Sequence, residues 1–301
     1  MKKHKICKIL LVILAIFLCV AFYELLGICV AYKKQPKVSN TTKKETKNGS
    51  WNECSENTER AVIIEKNPEA LLQRVRLIKN AKKEIILSTF AFQSDESGKL
   101  ILGALHDAAD RGVHIRLLVD GMESWIDMEG NPYFYGLSSH ENVEIKLYNK
   151  ANPLKPWKMM GRMHDKYLIA DGKRYILGGR NTYNYFLGDF PGHKNYDRDV
   201  LVVCDEPEKE NSVNQLSEYF ETIWNQEDSG YFHNNKKLAN RKSVKNAVLE
   251  LQNSYQKYFE ENKERICETD YTDETFETEK IALVSNPIHT GPKEPVVWYY
   301  L

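Results

Sequence analysis

The spacing of hydrophobic positions changes several times along the chain, and each change marks an element. Residues 9–32 are an almost unbroken apolar run, interrupted by Glu24 and preceded by Lys2, Lys3, Lys5 and Lys8. That length suits a membrane-spanning helix, which needs about 20 apolar residues. A cleaved signal peptide is the rival reading. The small-x-small cleavage pattern is lacking, however, and the apolar run resumes after Glu24, so an anchor is expected. Residues 33–57 are rich in Lys, Thr, Asn and Ser without periodicity, which predicts a flexible tether. Around Arg60 the pattern becomes that of a globular domain. Apolar positions at helical spacing over 67–78, with Pro68 in the first turn, predict an amphipathic helix.

Strand, helix and strand then alternate over 81–90, 97–105 and 111–120, as in α/β domains. Residues 121–156 read as loop, with one short strand at 143–148. Two short β-favouring runs, 167–170 and 175–177, flank an Asp171-Gly172 hairpin signal. Helices are expected at 212–224 and, strongly charged, over 238–267; 270–279 reads as an acidic linker.

Charge refines this division. The formal net charge is zero, but residues 1–50 hold 10 Lys/Arg and 2 Asp/Glu. The remainder therefore carries 42 − 10 = 32 basic against 42 − 2 = 40 acidic residues. An acidic globular part tilts away from nucleic acid as a substrate. Four lysines on a very short N-terminal tail keep that tail cytoplasmic, so the catalytic part is expected on the extracytoplasmic face.

Of the six cysteines, Cys7, Cys19 and Cys29 sit in or beside the apolar run as filler. Cys54, Cys204 and Cys267 have no metal-ligand spacing, though one disulfide among them would suit an outer face. No metal and no cofactor is expected.

The chemistry is concentrated in residues 164–181, which read H-x-K-x4-D-x6-G-G-x-N: His164, Lys166, Asp171, Gly178, Gly179 and Asn181. On a strand alternate side chains share a face, so His164 and Lys166 point the same way. The hairpin brings Gly178, Gly179 and Asn181 back towards that face, where glycines let backbone and substrate approach closely. His164 is placed to act as nucleophile or proton carrier. Lys166 and Asn181 would offset charge on phosphate oxygens.

This block resembles the HKD motif of the phospholipase D superfamily, nearest to its bacterial cardiolipin synthase-like branch. The stretches 81–90, 97–105 and 111–120 resemble that family's first core strand, the helix after it and the next strand. The resemblance implies a mixed sheet flanked by helices, here preceded by an N-terminal transmembrane helix. It also implies metal-free chemistry, in which one histidine forms a phosphohistidine and another protonates the leaving alcohol. His164, Lys166 and Asn181 carry over directly. Asp171 carries over as the motif aspartate, more structural than chemical. Asp199 matches the acidic residue that orients the nucleophilic histidine in single-motif relatives, and Asp197 competes for that role.

The expected domains are an anchor over 1–32, a tether over 33–59, a first phospholipase D-like domain over 60–278 and the start of an incomplete second repeat over 279–301. Only His164 among the eight histidines has a lysine two positions on. The second HKD half is therefore expected from a C-terminal region beyond this sequence or from a homodimer partner. His106, His114 and His193 read as surface or packing residues, and His289 has Gly291 where a lysine would be needed.

The resulting expectation is a membrane-anchored phosphodiester transferase or hydrolase acting through a phosphohistidine, with phosphatidyl transfer on membrane phospholipid as its reaction. The alternatives are a single-motif homodimeric nuclease-type phosphodiesterase, which would bind nucleic acid, and an inactive truncated half.

Overall fold

The computed structural model describes residues 2–33, 59–159, 161–205, 207, 211–267, 269–279 and 281–285. They belong to two compact units. In the first, helix α1 (Lys2–Lys33) accompanies the segment 151–162. A 26-residue stretch of α1, Lys5–Val30, is long and apolar enough to cross a membrane. Within this unit the Tyr23 hydroxyl donates to the Leu154 carbonyl (2.9 Å). Gly27 lets Pro156 close on the helix where any Cβ would clash. The expected tether apart from Lys33 and Glu59, and the expected second repeat apart from residues 279 and 281–285, fall outside the described residues; 281–285 hold no helix or strand.

In the second unit the strands are β1 (Arg60–Ile64), β2 (Glu84–Thr89), β3 (His114–Asp120), β4 (Val143–Tyr148), β5 (Tyr167–Ala170), β6 (Arg174–Gly178), β7 (Asp199–Val203), β8 (Ser229–Tyr231) and β9 (Phe276–Glu277). They form one mixed sheet in the order β8-β4-β3-β2-β5-β6-β7-β1-β9. β2, β3 and β4 run parallel, as their helical crossovers require, and the remaining pairings are antiparallel. Helix α3 (Glu96–Asp110) makes the crossover from β2 to β3, and with helix α2 (Asn67–Asn80), which precedes β2, it gives the sheet apolar cover. Leu71, Val75, Ile78, Ile101, Ala104 and Leu105 are all buried against strand residues such as Ile85, Ile115 and Leu117. The mixed sheet flanked by helices is the architecture the resemblance implied.

Two expectations need correction. The stretch 121–156 is not mainly loop, because it holds α4 (Gly121–Asp127) and α5 (Pro132–Ser138). Each starts at a side-chain cap that propensity alone under-weights: Asp120 accepts from Met122 and Glu123 N–H, and Asn131 from Tyr133 N–H.

Likewise 270–279 is no linker. It contributes α9 (Tyr271–Glu274) and the edge strand β9, which pairs with β1. Arg76 explains this: its guanidinium meets Glu274 (2.5 Å), the Thr269 carbonyl and the Tyr271 ring (3.8 Å). Glu274, which looks solvated in sequence, thus pairs with the buried Arg76 of α2. The same packing buries α2 nearly all round, so its amphipathic pattern hides a covered polar face.

The helices expected at 212–224 and 238–267 form α6 (Ser212–Trp224), α7 (Lys242–Glu261) and α8 (Lys263–Cys267), with a 3-10 turn at Lys236–Asn240. Cys204 is buried and Cys267 exposed, and Cys54 lies outside the described residues.

Candidate active site

The motif residues gather where β2 and β3 end and β5 begins. Ser88 pairs with Tyr167, so the residues after β2 lie beside those before β5. β5 starts only at Tyr167, one residue after Lys166, so His164 and Lys166 precede the strand. The Lys166 carbonyl still accepts from Gly178 N–H (3.1 Å), which extends the ladder to the motif lysine.

The His164 and Lys166 side chains both rest on Phe90. The His164 ring meets Phe90 edge-on, with centroids 4.7 Å apart, and the Lys166 ammonium stands 5.2 Å from the Phe90 centroid. Lys166 Nζ also donates to the His164 carbonyl (2.6 Å). His164 is exposed while Lys166 is buried. Burial pulls the Lys166 ammonium down to about 8, although Asp165, Asp197 and Asp120 act in the opposite sense. Desolvation pushes the Asp165 carboxyl up, opposed by a hydrogen bond from the Tyr219 hydroxyl (2.9 Å) and by the Lys166 charge.

Asp120 fixes the approach to the motif. One of its oxygens caps α4; the other accepts from Met163 N–H (3.0 Å), immediately before His164. On the opposite side, Ala91 N–H donates to Asn181 Oδ1 (3.2 Å). Thr182 exchanges backbone hydrogen bonds with Ala91 (3.1 Å) and Gln93 (3.2 Å). Asn181 is therefore held on the seam beside Phe90, the residue that carries His164 and Lys166.

Gly178 and Gly179 lie at the end of β6, and carboxylates occupy the room they leave. A Cβ at Gly178 would collide with Asp199 and one at Gly179 with Asp197. Asp199 is buried under two buried arginines: its Oδ2 meets Arg74 (2.8 Å) and Arg180 (3.2 Å), and its Oδ1 has no hydrogen-bond partner among the described residues. Arg180 is held further by Asn67 Oδ1 and by the carbonyls of Ile64 and Glu65. Asp197, by contrast, is only partly buried and acts on the Lys166 charge.

Asp171 lies at the far end of the hairpin. Its carboxylate accepts from Lys82, Lys83 and Glu84 N–H at 2.7–3.1 Å. It and Gly172 adopt positive φ (56° and 64°) in the three-residue loop between Ala170 and Arg174, where Lys173 N–H donates to the Ala170 carbonyl (3.0 Å).

The sequence reading did not single out Phe90, Asp120, Arg74 or Arg180 as site residues. Asp120 had a readable signal, an Asp-Gly step at the end of an apolar strand that leads into a helix. Phe90 had only its position after a β run. The arginine pair had none, because its partner is 125 residues away in the case of Arg74.

Among the described residues no cluster of three or more His, Cys, Asp or Glu is arranged to hold a metal ion. An exposed imidazole beside a desolvated ammonium can hold an anionic oxygen while presenting a nitrogen to the atom that bears it.

Comparison with known proteins gives the following matches. The family described as "Cardiolipin synthase, PLD-like domain" matches residues 74–224. An uncharacterized protein of Helicobacter pylori strain J99 is 30% identical over 212 residues, 65% of this chain and 39% of that protein. Cardiolipin synthase C of Escherichia coli K12 is 30% identical over 154 residues, 46% of this chain and 31% of that enzyme. The match thus spans well under half the length of either relative. Among solved structures, NucT from Helicobacter pylori superposes with a TM-score of 0.45 at 16% identity, covering 58% of this chain and 99% of that one.

Proposed function

The chain belongs to the phospholipase D superfamily, in the family of the cardiolipin synthase PLD-like domain, and on that premise we propose that it transfers a phosphatidyl group between membrane alcohols, or to water, through a phosphohistidine at His164. Its family is one of phosphodiesterases and phosphatidyltransferases. One observation carries the proposal: an exposed imidazole and a buried ammonium share one aromatic support.

In this reading a His164 nitrogen attacks phosphorus, a P–N bond forms and the bond to the leaving oxygen breaks. Lys166 and Asn181 hold the non-bridging oxygens while negative charge builds on them. The leaving oxygen takes its proton from an acid on a second HKD half, supplied by a further segment or by a second copy of the chain. The acceptor alcohol or water then gives its proton to that same, now deprotonated, group as its oxygen attacks phosphorus opposite His164, and the P–N bond breaks to release the imidazole. Asp197, close enough to act on Lys166, helps to keep that lysine protonated.

The lipid substrate is supported by the apolar helix α1, which would hold the site near headgroups and raise their effective concentration. The acidic balance of residues 51–301 supports it against a nucleic acid.

The test is turnover of phosphatidylglycerol in mixed micelles by the full chain and by its His164→Ala variant. Loss of the nucleophile is expected to lower turnover by about 10^4-fold while membrane attachment persists. Turnover retained by the variant overturns the assignment. Cleavage of single-stranded DNA with steep salt dependence, and none of lipid, would install the nuclease-type reading instead.

A further inference from the structure

A cavity of about 600 Å³ opens on the helical face formed by α3, α5, α7 and the turn at Lys236–Asn240. That volume lies in the range of small-molecule sites, about 300–1,000 Å³. None of the HKD residues lines it.

Its floor is apolar, made by Gly136, Val244, Val248 and Leu249. α5 and α7 touch so closely there that a Cβ on Gly136 would stand 2.6 Å from Val248 Cγ2. Leu249 is 57% exposed, a large apolar side chain left in solvent at the cavity edge. The rest of the buried stripe of the same helix, Ala247, Leu251, Tyr255 and Phe259, faces the domain instead, with Val244 common to both.

The rim is polar and mainly cationic. Lys236 and Lys245 line it, and the ten residues from Lys236 to Lys245 hold five exposed basic side chains and no acidic one. Glu141 is the acidic rim residue, 3.9 Å from Lys236. His106 and His140 also line the rim, with ring centroids 5.4 Å apart. Both bind Asp110, through His106 Nδ1 (3.1 Å) and His140 Nε2 (3.2 Å). Asn142 N–H donates to His140 Nδ1, so the His140 proton sits on Nε2 and points at Asp110. That bridge ties α3 to the strand-side loop and fixes one cavity wall.

We infer that this cavity is a second, non-catalytic site for an anionic phospholipid, with an acyl chain on the apolar floor and the phosphate on the Lys236–Lys245 ridge. Charge complementarity selects the class, because an apolar slot beside five cations fits an amphiphile with a negative head. A nucleic acid would use the ridge but leave the floor empty. The inference does not depend on the reaction at His164.

The test uses the full chain in neutral detergent, in the His164→Ala background so that added lipid survives. A photoreactive benzoylphenylalanine replaces Leu249. Phosphatidylglycerol or phosphatidylcholine with the same chains is added, and lipid adducts are counted by mass spectrometry. Phosphatidylglycerol should give about ten-fold more adduct than phosphatidylcholine. Reversing two rim charges with Lys236→Glu and Lys245→Glu should cut it about thirty-fold. Filling the floor with Val248→Trp should cut it similarly; a lower thermal midpoint is expected from the crowding against Gly136, so labelling is compared at a temperature where both proteins are folded.

Equal labelling by the two lipids overturns the proposal, as does labelling that survives Val248→Trp, or displacement of the lipid by a single-stranded oligonucleotide. Hydrogen exchange in residues 236–250 of the chain with Leu249 intact provides a check without the probe. Slowing by phosphatidylglycerol alone is expected there, and no change counts against the site.

Discussion

The two ends of the β5–β6 hairpin carry one motif and opposite chemistry. At the open end His164 faces solvent, Lys166 is buried with its ammonium drawn down to about 8, and both rest on Phe90. At the closed end Asp171 gives its carboxylate to three backbone N–H groups at the start of β2. The four residues of β5 lie between Lys166 and Asp171, five residue steps or roughly 16 Å at about 3.3 Å per step. A side chain at the turn cannot reach a phosphate at the open end. Residues that share a motif therefore need not share a role: in the proposed reaction one end would work on a substrate, and the other holds the strand that presents it.

The largest effects should come from the open end. Lys166→Met removes the buried cation and should lower kcat/KM by about 10^3-fold, in the range of losing one transition-state charge partner. The pH profile sharpens this. In the free protein Lys166 loses its proton near 8, whereas an ordinary lysine loses it near 10.4. kcat/KM should therefore fall as pH rises through about 8, and Lys166→Arg, whose cation persists, should push that limb to higher pH. Between about 8 and 10.4 the unfolded chain holds the extra proton, so this group's contribution to stability rises with pH. Activity and the Lys166 share of stability move in opposite directions over that window. A thermal midpoint that fell in step with activity would assign the alkaline loss to unfolding.

Asp199 comes next and acts from beneath the site. Removing its carboxylate leaves Arg74 and Arg180 as buried cations without their partner, which typically costs about 3–5 kcal/mol. Asp199→Ala should lower the thermal midpoint sharply, with turnover falling only through the folded fraction. Were Asp199 to act on the histidine instead, turnover per folded molecule would drop while the midpoint held. Asp197→Asn then separates the two acids: its expected effect is on the Lys166 alkaline limb, with little change in stability.

Much of this arrangement was legible in the sequence, and the remainder failed for identifiable reasons. The strands at 143–148 and 167–170 and the helix at 212–224 were readable because apolar spacing and turn residues agree there. The Asp171-Gly172 turn was legible because few dipeptides tolerate two positive φ values. Helices α4 and α5 were missed because each is seven residues long and is specified by a cap rather than by periodicity. β9 was missed because its partner β1 lies more than 200 residues away and its acidic flank reads as solvated. Phe90 was missed for a similar reason. Its role depends on the pairing of Ser88 with Tyr167, a register that nothing local to residue 90 specifies.

The smallest effect tests the closed end. Asp171→Ala removes the acceptor for the N–H groups of Lys82, Lys83 and Glu84, but these groups are partly exposed, so water can replace much of what is lost. It also puts alanine at a positive φ, where Asp and Asn are tolerated better. The two effects together should cost roughly 1–3 kcal/mol, read as a lower midpoint in denaturant with an unchanged slope. Asp171→Asn retains the backbone tolerance and one acceptor oxygen, so it should recover most of that loss. Turnover per folded molecule should stay within about two-fold of the parent in both variants, since a group roughly 16 Å from Lys166 has no part in proton or phosphoryl transfer. A loss of turnover that Asp171→Asn does not repair would make the aspartate chemical, and the division between the two ends of the hairpin would fail.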